Sequence, residues 1–307
     1  MNHFISLKYF SANQIQDLIN LAMRIKAAPL DSKSSLAGKS VGLIFEKSSL
    51  RTKTAFYLGA LQLGAYAVYY SPDEVKLGQR ESISDVARTL SGYLDAVVLR
   101  TYSHSSILEF AQASSVPVIN GLSDFLHPSQ ALADILTIQE LKENIKKVKV
   151  VYIGDGNNVC NSLIYAFSIL GGKLTLAIPQ DYLPSVDVLN EAKDYAKISG
   201  SEIEIADSIE EAASGADVLY TDVWISMGNE AELRERKKAF KNYQINGKIL
   251  QLAKEDVIVM HCLPAHRGEE ITDSVIESKN SVVFKQAQNR LYTAKAILSY
   301  ILKEWAK

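Results

Sequence analysis

Short runs of β-branched and aliphatic residues alternate with amphipathic stretches along most of the chain. The runs have the length of strands, and the stretches between them repeat their apolar residues at helical spacing. Strand–helix alternation predicts parallel sheets covered by helices on both faces. The predicted strands are 40–45, 66–70, 95–100, 116–119, 148–153, 173–178, 202–205, 217–220, 257–260 and 281–284.

The predicted helices fill the intervals between these strands. One helix precedes them all, because Ser11 and Gln14 have the spacing of a capping box and the apolar residues from Ile15 to Ala22 share one face. The other predicted helices are 52–63, 83–93, 105–113, 128–143, 158–170, 186–199, 230–240 and 286–305.

The strand–helix order restarts after the charged stretch 142–147, which predicts a boundary between two α/β halves. A length of 307 residues also suggests two domains. We expect the first domain to comprise residues 1–140 and the second residues 141–285. The last segment, 286–307, is long enough to return and pack on the first domain.

Composition narrows the class of protein. Hydrophobic residues make up 47% and charged residues 22%, which excludes a disordered, collagen-like or coiled-coil chain. A net charge of −2 gives no basic excess for binding nucleic acid or an anionic membrane. No apolar run has membrane-spanning length, and residues 1–26 lack a signal-peptide core. Two cysteines without zinc-site spacing predict a cytoplasmic chain with neither disulfides nor a bound metal.

Polar residues follow the predicted strands, where open parallel sheets bind their ligands. Ser49-Leu50-Arg51-Thr52 lies between a strand and a helix, and a helix start with hydroxyl and guanidinium donors suits a phosphate. His127 and Gln130 lie at the start of another helix. The imidazole of His127 can donate to a carbonyl oxygen, and the side chain of Gln130 can bind an amide NH₂. Each segment, taken alone, is also compatible with an ordinary helix cap.

Three further segments follow strands of the second half. Asp222 could bind an amine, and Cys262 could act as a nucleophile, a proton acceptor or a packing contact. The turn at 154–158 resembles a dinucleotide fingerprint, but Val159 occupies the third glycine position and no acidic residue ends the next strand. We therefore interpret Asn158 as a side-chain donor to a ligand other than a nucleotide.

Together these segments resemble the aspartate/ornithine carbamoyltransferase superfamily, and within it the ornithine carbamoyltransferases. The likeness covers nearly the whole chain, and its specificity comes from eight motifs in family order. These motifs are 49–52, 77–82, Arg100, 127–130, 154–158, 222–228, 261–264 and 289–291.

The resemblance implies two similar domains, each a parallel sheet flanked by helices, with the active site between them. It implies a homotrimer without cofactor, in which the stretch around Lys76 approaches a neighbouring subunit's phosphate. Catalytic roles would fall to Arg100, His127 and Cys262. Ornithine would be bound by Asn158, Asp222, Ser226 and Met227. Carbamoyl phosphate would be bound by Ser49, Leu50, Arg51, Thr52, Lys76, Arg100, His127, Gln130, Cys262, Leu263 and Arg290.

The implied reaction transfers the carbamoyl group of carbamoyl phosphate to the δ-amine of L-ornithine, giving L-citrulline and phosphate, in arginine biosynthesis. Putrescine, N-acetylornithine or aspartate remain alternative acceptors. A nucleotide-dependent dehydrogenase or an inactive carbamoyl-phosphate-binding protein are alternatives of another class. Three positions depart from the common family pattern, namely Leu50, Lys53 and Lys76, and these bear on affinity rather than on the class of reaction.

Overall fold

The computed structural model of the chain describes residues 3–225 and 232–305. The chain divides into two compact units, of which the first comprises Met1–Leu136 with Gln288–Lys307 and the second Thr137–Ala287. No helix within the described ranges has both the length and the apolar character needed to cross a membrane.

The first unit is built on a parallel sheet of four strands. They are β1 (Ser40–Phe45), β2 (Tyr66–Tyr70), β3 (Ala96–Arg100) and β4 (Val118–Leu122). Their order is β2-β1-β3-β4, so β1 and β3 are the central strands. The apolar run of β3 is buried along its whole length, whereas the edge strand β2 is largely exposed.

Helices flank this sheet. Ser11 and Gln14 form the predicted capping box, and the apolar face that follows it is buried. Pro128 stands at the first turn of its helix, where a missing N–H costs no hydrogen bond. The helices that begin in this unit are α1 (Ala12–Ala27), α2 (Arg51–Gln62), α3 (Pro72–Val75), α4 (Ile83–Ser91), α5 (His104–Ala113) and α6 (Pro128–Lys142), which ends in the second unit.

A β-bulge interrupts the pairing of β3 with β4. Leu99 pairs with Asn120, but Arg100 pairs with Leu122, so Gly121 is the extra residue. A Cβ added to Gly121 would lie 3.0 Å from the carbonyl oxygen of Leu99 and 3.4 Å from Thr52 Cγ2. Bulges bend a strand and redirect its side chains. The glycine therefore allows the end of this sheet to pack closely against the start of α2.

The second unit contains a parallel sheet of five strands. They are β5 (Lys149–Ile153), β6 (Lys173–Ala177), β7 (Glu202–Ile205), β8 (Val218–Thr221) and β9 (Ile258–His261). The order β7-β6-β5-β8-β9 places β5 at the centre. Its helices are α7 (Asn158–Leu170), α8 (Val186–Ser199), α9 (Ile209–Ala213), α10 (Leu233–Phe240), α11 (Gly247–Leu252) and α12 (Asp273–Ile276). The last helix, α13 (Val283–Trp305), begins here and ends in the first unit.

The predicted fold class is confirmed, because each unit is a parallel sheet flanked by helices and the C-terminal helix joins the first unit. The strand predicted at 281–284 is wrong. Ser281 makes one isolated bridge to Val259, and the chain then enters α13 at Val283. The N–H of Gln286 already donates to the carbonyl of Val282, so the helix also begins three residues before the predicted start at 286.

Candidate active site

The turn between β1 and α2 presents the start of a helix with little side-chain capping. Leu50 occupies the cap position without a side-chain hydrogen bond, and its side chain is 76% exposed. Ser49 Oγ accepts from the N–H of Lys53 over 3.4 Å, whereas Thr52 is buried. The positive end of the helix dipole favours an anion here.

Arg290 bonds to two of the predicted residues of the first unit, Thr52 and Gln130. Its Nη2 donates to Thr52 Oγ1 over 2.9 Å and to Ser129 Oγ over 3.5 Å. Its Nη1 donates to the amide oxygen of Gln130, whose Nε2 donates to Asp134 over 2.8 Å. The last helix thus brings the guanidinium of Arg290 to the starts of α2 and α6. The amide oxygen and the amide nitrogen of Gln130 are both held by hydrogen bonds.

His127 lies among three guanidinium groups. Burial, and then the charges of Arg290, Arg100 and Arg51, hold the pKa of His127 well below its ordinary value of 6.5. The imidazole is therefore neutral near pH 7 and can donate a hydrogen bond without carrying charge.

Arg100 ends the central strand β3 at the bulge. Burial, helped by the charge of Arg51, lowers the pKa of Arg100 to about 10, so the guanidinium remains charged near pH 7. Among the described residues no hydrogen-bond partner reaches its buried Nε. The first unit therefore concentrates positive charge at one end of its sheet, where an anion would compensate it.

Lys76 differs from these residues in its setting. It follows α3 with a φ of +43°, and its side chain is exposed. Within the described ranges that side chain makes no hydrogen bond or ion pair. Within the described part of a single chain, Lys76 therefore does not bond to the cluster of Arg51, Arg100, His127 and Arg290.

In the second unit, Asp222 accepts three hydrogen bonds at the end of β8. The Cys262 thiol and the N–H of Val223 each donate to its Oδ1 over 2.8 Å. The side chain of Asn157 donates to its Oδ2 over 2.8 Å. The structure thus brings Asp222 and the half-buried Cys262 together, because they follow the neighbouring strands β8 and β9.

Asn157 rather than Asn158 makes this contact, and the sequence analysis did not select it. Its Oδ1 also caps α7 by accepting from the N–H groups of Val159 and Cys160. Asn158, the predicted ligand, is half-buried in the first turn of the same helix. An N-cap asparagine is a common sequence signal, but the signal does not reveal that its amide NH₂ meets Asp222.

The glycine-rich turn of the second unit is filled by protein backbone. A Cβ added to Gly156 would lie 2.5 Å from the carbonyl oxygen of Tyr182 and from the nitrogen of Pro184. In a dinucleotide site this glycine allows a pyrophosphate to approach the backbone. Here the segment 182–184 makes that approach instead, which weighs against a nucleotide-dependent dehydrogenase.

Arg236 links this turn to the segment that follows β8. Its Nη1 donates to Asp155 Oδ2 over 2.8 Å and to the carbonyl of Trp224 over 3.0 Å. Its Nε donates to Glu232 over 2.8 Å, and its guanidinium lies 4.8 Å from the centre of the Tyr182 ring. Arg236 is not identifiable from the sequence, because an arginine in a charged helix carries no local sign of burial.

A buried His–Glu pair supports the segment after β9. His261 Nδ1 accepts from the N–H of Leu263 over 2.9 Å, so its proton lies on Nε2, which faces Glu270 Oε1 at 3.0 Å. Leu263 has a φ of +58°, a rare conformation for a branched side chain. The pair therefore helps to hold the backbone at Leu263, which is one of the predicted ligands. Neither His261 nor Glu270 was selected from the sequence.

Asp222, His261 and Cys262 could in principle ligate a cation, because one ligand atom from each lies within 4.8 Å of the others. In the structure their polar atoms already bond to one another and to neighbours, as described above. A cation would therefore have to displace the thiol proton. Ser226 and Met227, the remaining predicted ornithine ligands, lie outside the described residues.

Two family models match the chain. The carbamoyl-P binding domain of aspartate/ornithine carbamoyltransferase matches residues 2–140, and the Asp/Orn binding domain matches residues 146–301. The first match includes the predicted carbamoyl phosphate ligands of the first half, from Ser49 to Gln130, whereas Arg290 lies in the second match. The second includes Asp222, Cys262 and Leu263.

Individual relatives agree over the full length. The ornithine carbamoyltransferase of Oceanobacillus iheyensis is 46% identical over 98% of this chain and 94% of its own. The catabolic ornithine carbamoyltransferase of Thermoplasma volcanium is 47% identical, covering 94% of this chain and 95% of its own. The crystal structure of the anabolic ornithine carbamoyltransferase of Campylobacter jejuni superposes with a TM-score of 0.95 at 39% identity, over 99% of this chain and 100% of its own. The chain therefore belongs to the aspartate/ornithine carbamoyltransferase family, among its ornithine carbamoyltransferases.

Proposed function

We propose that the chain transfers the carbamoyl group of carbamoyl phosphate to the δ-amine of L-ornithine, producing L-citrulline and phosphate. The observation that carries this proposal is the convergence of Arg51, Arg100 and Arg290 on the buried, neutral His127. A small phosphorylated carbonyl compound needs these features: cations for the phosphate and a donor for the carbonyl oxygen.

The phosphate of the first substrate would bind at the start of α2. Ser49 and Thr52 offer hydroxyl groups, Leu50 offers its backbone N–H, and Arg51 offers a guanidinium fork. Arg290 already bonds to Thr52, which supports a role for both in the same anion site. The match of residues 2–140 to the carbamoyl-P binding domain supports the same assignment.

The carbamoyl group would lie beside Arg100, His127 and Gln130. Attack by an amine turns the carbonyl oxygen into an oxyanion, which Arg100 and His127 would stabilise by donating hydrogen bonds. One such donor is worth about 2.7–4 kcal/mol of activation free energy. Gln130 would accept from the carbamoyl NH₂ through its amide oxygen, which Arg290 already orients. The carbonyl of Leu263 would accept from the same NH₂, and phosphate would then leave.

The amino acid would bind through Asn158, Asp222, Ser226 and Met227. The δ-amine must lose a proton before it attacks, and Cys262 with Asp222 would contact that amine. Since the amine itself is the nucleophile, Cys262 serves as a contact or proton acceptor and forms no covalent bond to substrate. The carboxylate of Asp222 favours a cationic acceptor over aspartate, which would need cations for its second carboxylate.

The acceptor is tested by comparing product formation from ornithine, putrescine, N-acetylornithine and aspartate at a fixed concentration of carbamoyl phosphate. We expect kcat/KM to be highest with ornithine by at least about two orders of magnitude, since a buried polar site rejects substrates that leave its groups unpaired. A preference for any other acceptor would overturn the proposal.

The proposed physiological direction is citrulline synthesis for arginine production. The full-length similarity to an enzyme named anabolic supports it, although another relative is named catabolic. Deleting the gene and supplying arginine or citrulline tests the direction. Growth that requires either compound supports biosynthesis, whereas loss of growth on arginine as the energy source would indicate breakdown.

A homotrimer in the cytoplasm completes the proposal. The exposed side chain of Lys76 supports it, because a neighbouring subunit would give this cation a phosphate to contact. Light scattering should give a mass of about three times 33.9 kDa. A monomer with full activity would contradict the proposed assembly.

A further inference from the structure

His104 connects the two segments that carry Arg100 and His127. Arg100 ends β3, and His104 begins α5 four residues later. Ser123 directly follows β4, and His127 immediately precedes α6. The backbone N–H of His104 donates to Asp124 Oδ1 over 2.7 Å, and its ring Nδ1 lies 2.9 Å from Ser123 Oγ. Both the backbone and the side chain of His104 therefore contact the second segment.

Ser123 closes the turn that ends at His127. Its Oγ accepts from the N–H of Leu126 over 3.1 Å and from the N–H of Phe125 over 3.3 Å. Its own N–H donates to the carbonyl of Leu126 over 2.9 Å. Since Leu126 precedes His127, the turn fixes the position from which the imidazole of His127 extends.

The geometry around Ser123 favours His104 as a hydrogen-bond acceptor. The N–H groups of Phe125 and Leu126 both donate to Ser123 Oγ. The hydroxyl proton can then reach Nδ1 of His104 at 2.9 Å more closely than the carbonyl of Leu126 at 3.4 Å. With Nδ1 as the acceptor, the imidazole of His104 is neutral and carries its own proton on Nε2.

The surroundings of His104 agree with this state. Burial, assisted by the charge of Lys8 and opposed by that of Asp124, lowers the pKa of His104 below its ordinary value. The ring also packs against Phe125, with the two ring centres 5.5 Å apart. The same imidazole thus makes a hydrogen bond and a ring contact with one turn.

We propose that His104 is a positioning residue for the carbamoyl-transfer step, because its bond to Ser123 holds the turn that presents His127 to the substrate carbonyl. This inference rests on the proposed function, in which His127 donates to the developing oxyanion. A displaced donor loses most of its effect, and a shift of about 1 Å can reduce a rate by as much as a hundredfold.

Two variants separate the hydrogen bond from the ring contact. His104→Asn places an amide oxygen close to the position of Nδ1 and can still accept from Ser123, but it removes the ring. His104→Phe keeps a ring against Phe125 and removes the acceptor. His104→Ala removes both without adding bulk, and it replaces His104→Phe if that variant does not fold.

Steady-state kinetics distinguish positioning from general destabilisation. We expect His104→Phe to lower kcat about tenfold. The KM values for both substrates should change less than about twofold, because the start of α2 is proposed to hold the phosphate and Asp222 to contact the ornithine. His104→Asn should keep at least about half of the wild-type kcat. An unchanged kcat in His104→Phe, or equal losses in both variants, would overturn the proposal.

A spectroscopic measurement keeps this proposal separate from the proposed reaction. With ¹⁵N-labelled histidine, the side-chain nitrogen signals of His127 should shift in His104→Phe and remain at their wild-type positions in His104→Asn. If the wild-type chain made no citrulline, the proposed function would fail while these shifts would still report whether His104 positions His127. Identical His127 signals in all three proteins would refute the positioning role.

Discussion

The guanidinium of Arg236 donates to the carboxylate of Asp155 over 2.8 Å, and both side chains are about nine-tenths buried. The bond joins α10 to the turn after β5, and the same guanidinium also bonds to the carbonyl of Trp224. Asp222 stands two residues before Trp224, so the ion pair supports the segment that carries this proposed ornithine contact.

Replacing Arg236 with methionine should destabilise the second unit. Methionine keeps an unbranched stem against Tyr182 but leaves Asp155 buried without its cation. Breaking a buried pair by removing one partner costs about 3–5 kcal/mol of unfolding free energy. Urea unfolding measures the loss. The control is Arg234→Met, since Arg234 is exposed on the same helix, and equal midpoints for the two variants would contradict the role of Arg236.

Asp155 should make stability depend on pH. Burial, the largest influence, raises the pKa of Asp155 from its ordinary 3.8 to about 6, although Arg236 opposes the rise. Between about pH 4 and pH 6 the folded chain therefore retains a proton that the unfolded chain releases. The contribution of Asp155 to the unfolding free energy is greatest below this range and is lost as the pH rises through it.

The pH effect is measured by comparing Asp155→Asn with the wild type from pH 4 to pH 8. The difference in unfolding free energy between the two proteins should change across about pH 4–6 and stay constant above it. A difference that does not vary with pH would contradict the raised pKa.

Most elements of the fold follow from the local sequence. Central strands such as β3 and β5 have runs of valine, leucine and isoleucine, and the predicted bounds of β1, β2 and β7 agree with the structure. The strand predicted at 281–284 failed because Val282 and Val283 favour a strand locally, whereas pairing beside β9 lasts for one residue before α13 begins.

The site was less predictable, because its geometry depends on contacts between distant residues. Position after a strand identified Asp222 and Cys262 one by one, and in the structure the Cys262 thiol donates to Asp222. The positions of Arg236 and Glu270 in the sequence do not indicate a role in the site. Their partners, Asp155 and His261, are brought to them only by the folding of the second unit. The bulge at Gly121, which lies in β4 beside the end of β3 at Arg100, is likewise set by pairing register rather than by composition.

Arg51→Ala should weaken the binding of carbamoyl phosphate. The loss of charge-assisted hydrogen bonds costs about 1.5–3 kcal/mol, so the KM for carbamoyl phosphate should rise about 10- to 100-fold. Arg88→Ala is the control, because Arg88 is exposed on α4, where it pairs with Asp85. A wild-type rate at low carbamoyl phosphate in Arg51→Ala would exclude Arg51 from the phosphate site.

The two cysteines should differ in their reaction with iodoacetamide. Cys160 is fully buried, and burial raises the pKa of its thiol well above the ordinary value, so little thiolate forms. Cys262 is half-buried beside Asp222. Mass spectrometry of the native protein should find the label on Cys262, and ornithine should slow the reaction. Labelling of Cys160 at an equal rate would contradict this assignment of accessibility.

Gly156 and Gly247 should respond in opposite directions to substitution by alanine. A Cβ on Gly156 would stand 2.5 Å from two backbone atoms of the segment 182–184, which cannot move aside as a flexible side chain would. Such overpacking costs about 1–3 kcal/mol or more of unfolding free energy. Gly247 begins α11 with nothing within 4 Å of an added Cβ. Alanine there should stabilise the protein by up to about 1 kcal/mol, because glycine is the poorer helix former.

Urea unfolding of the two variants measures both effects. A neutral Gly156→Ala would mean that the backbone at 182–184 does not fill the glycine-rich turn, and the argument against a nucleotide in that turn would lose its basis.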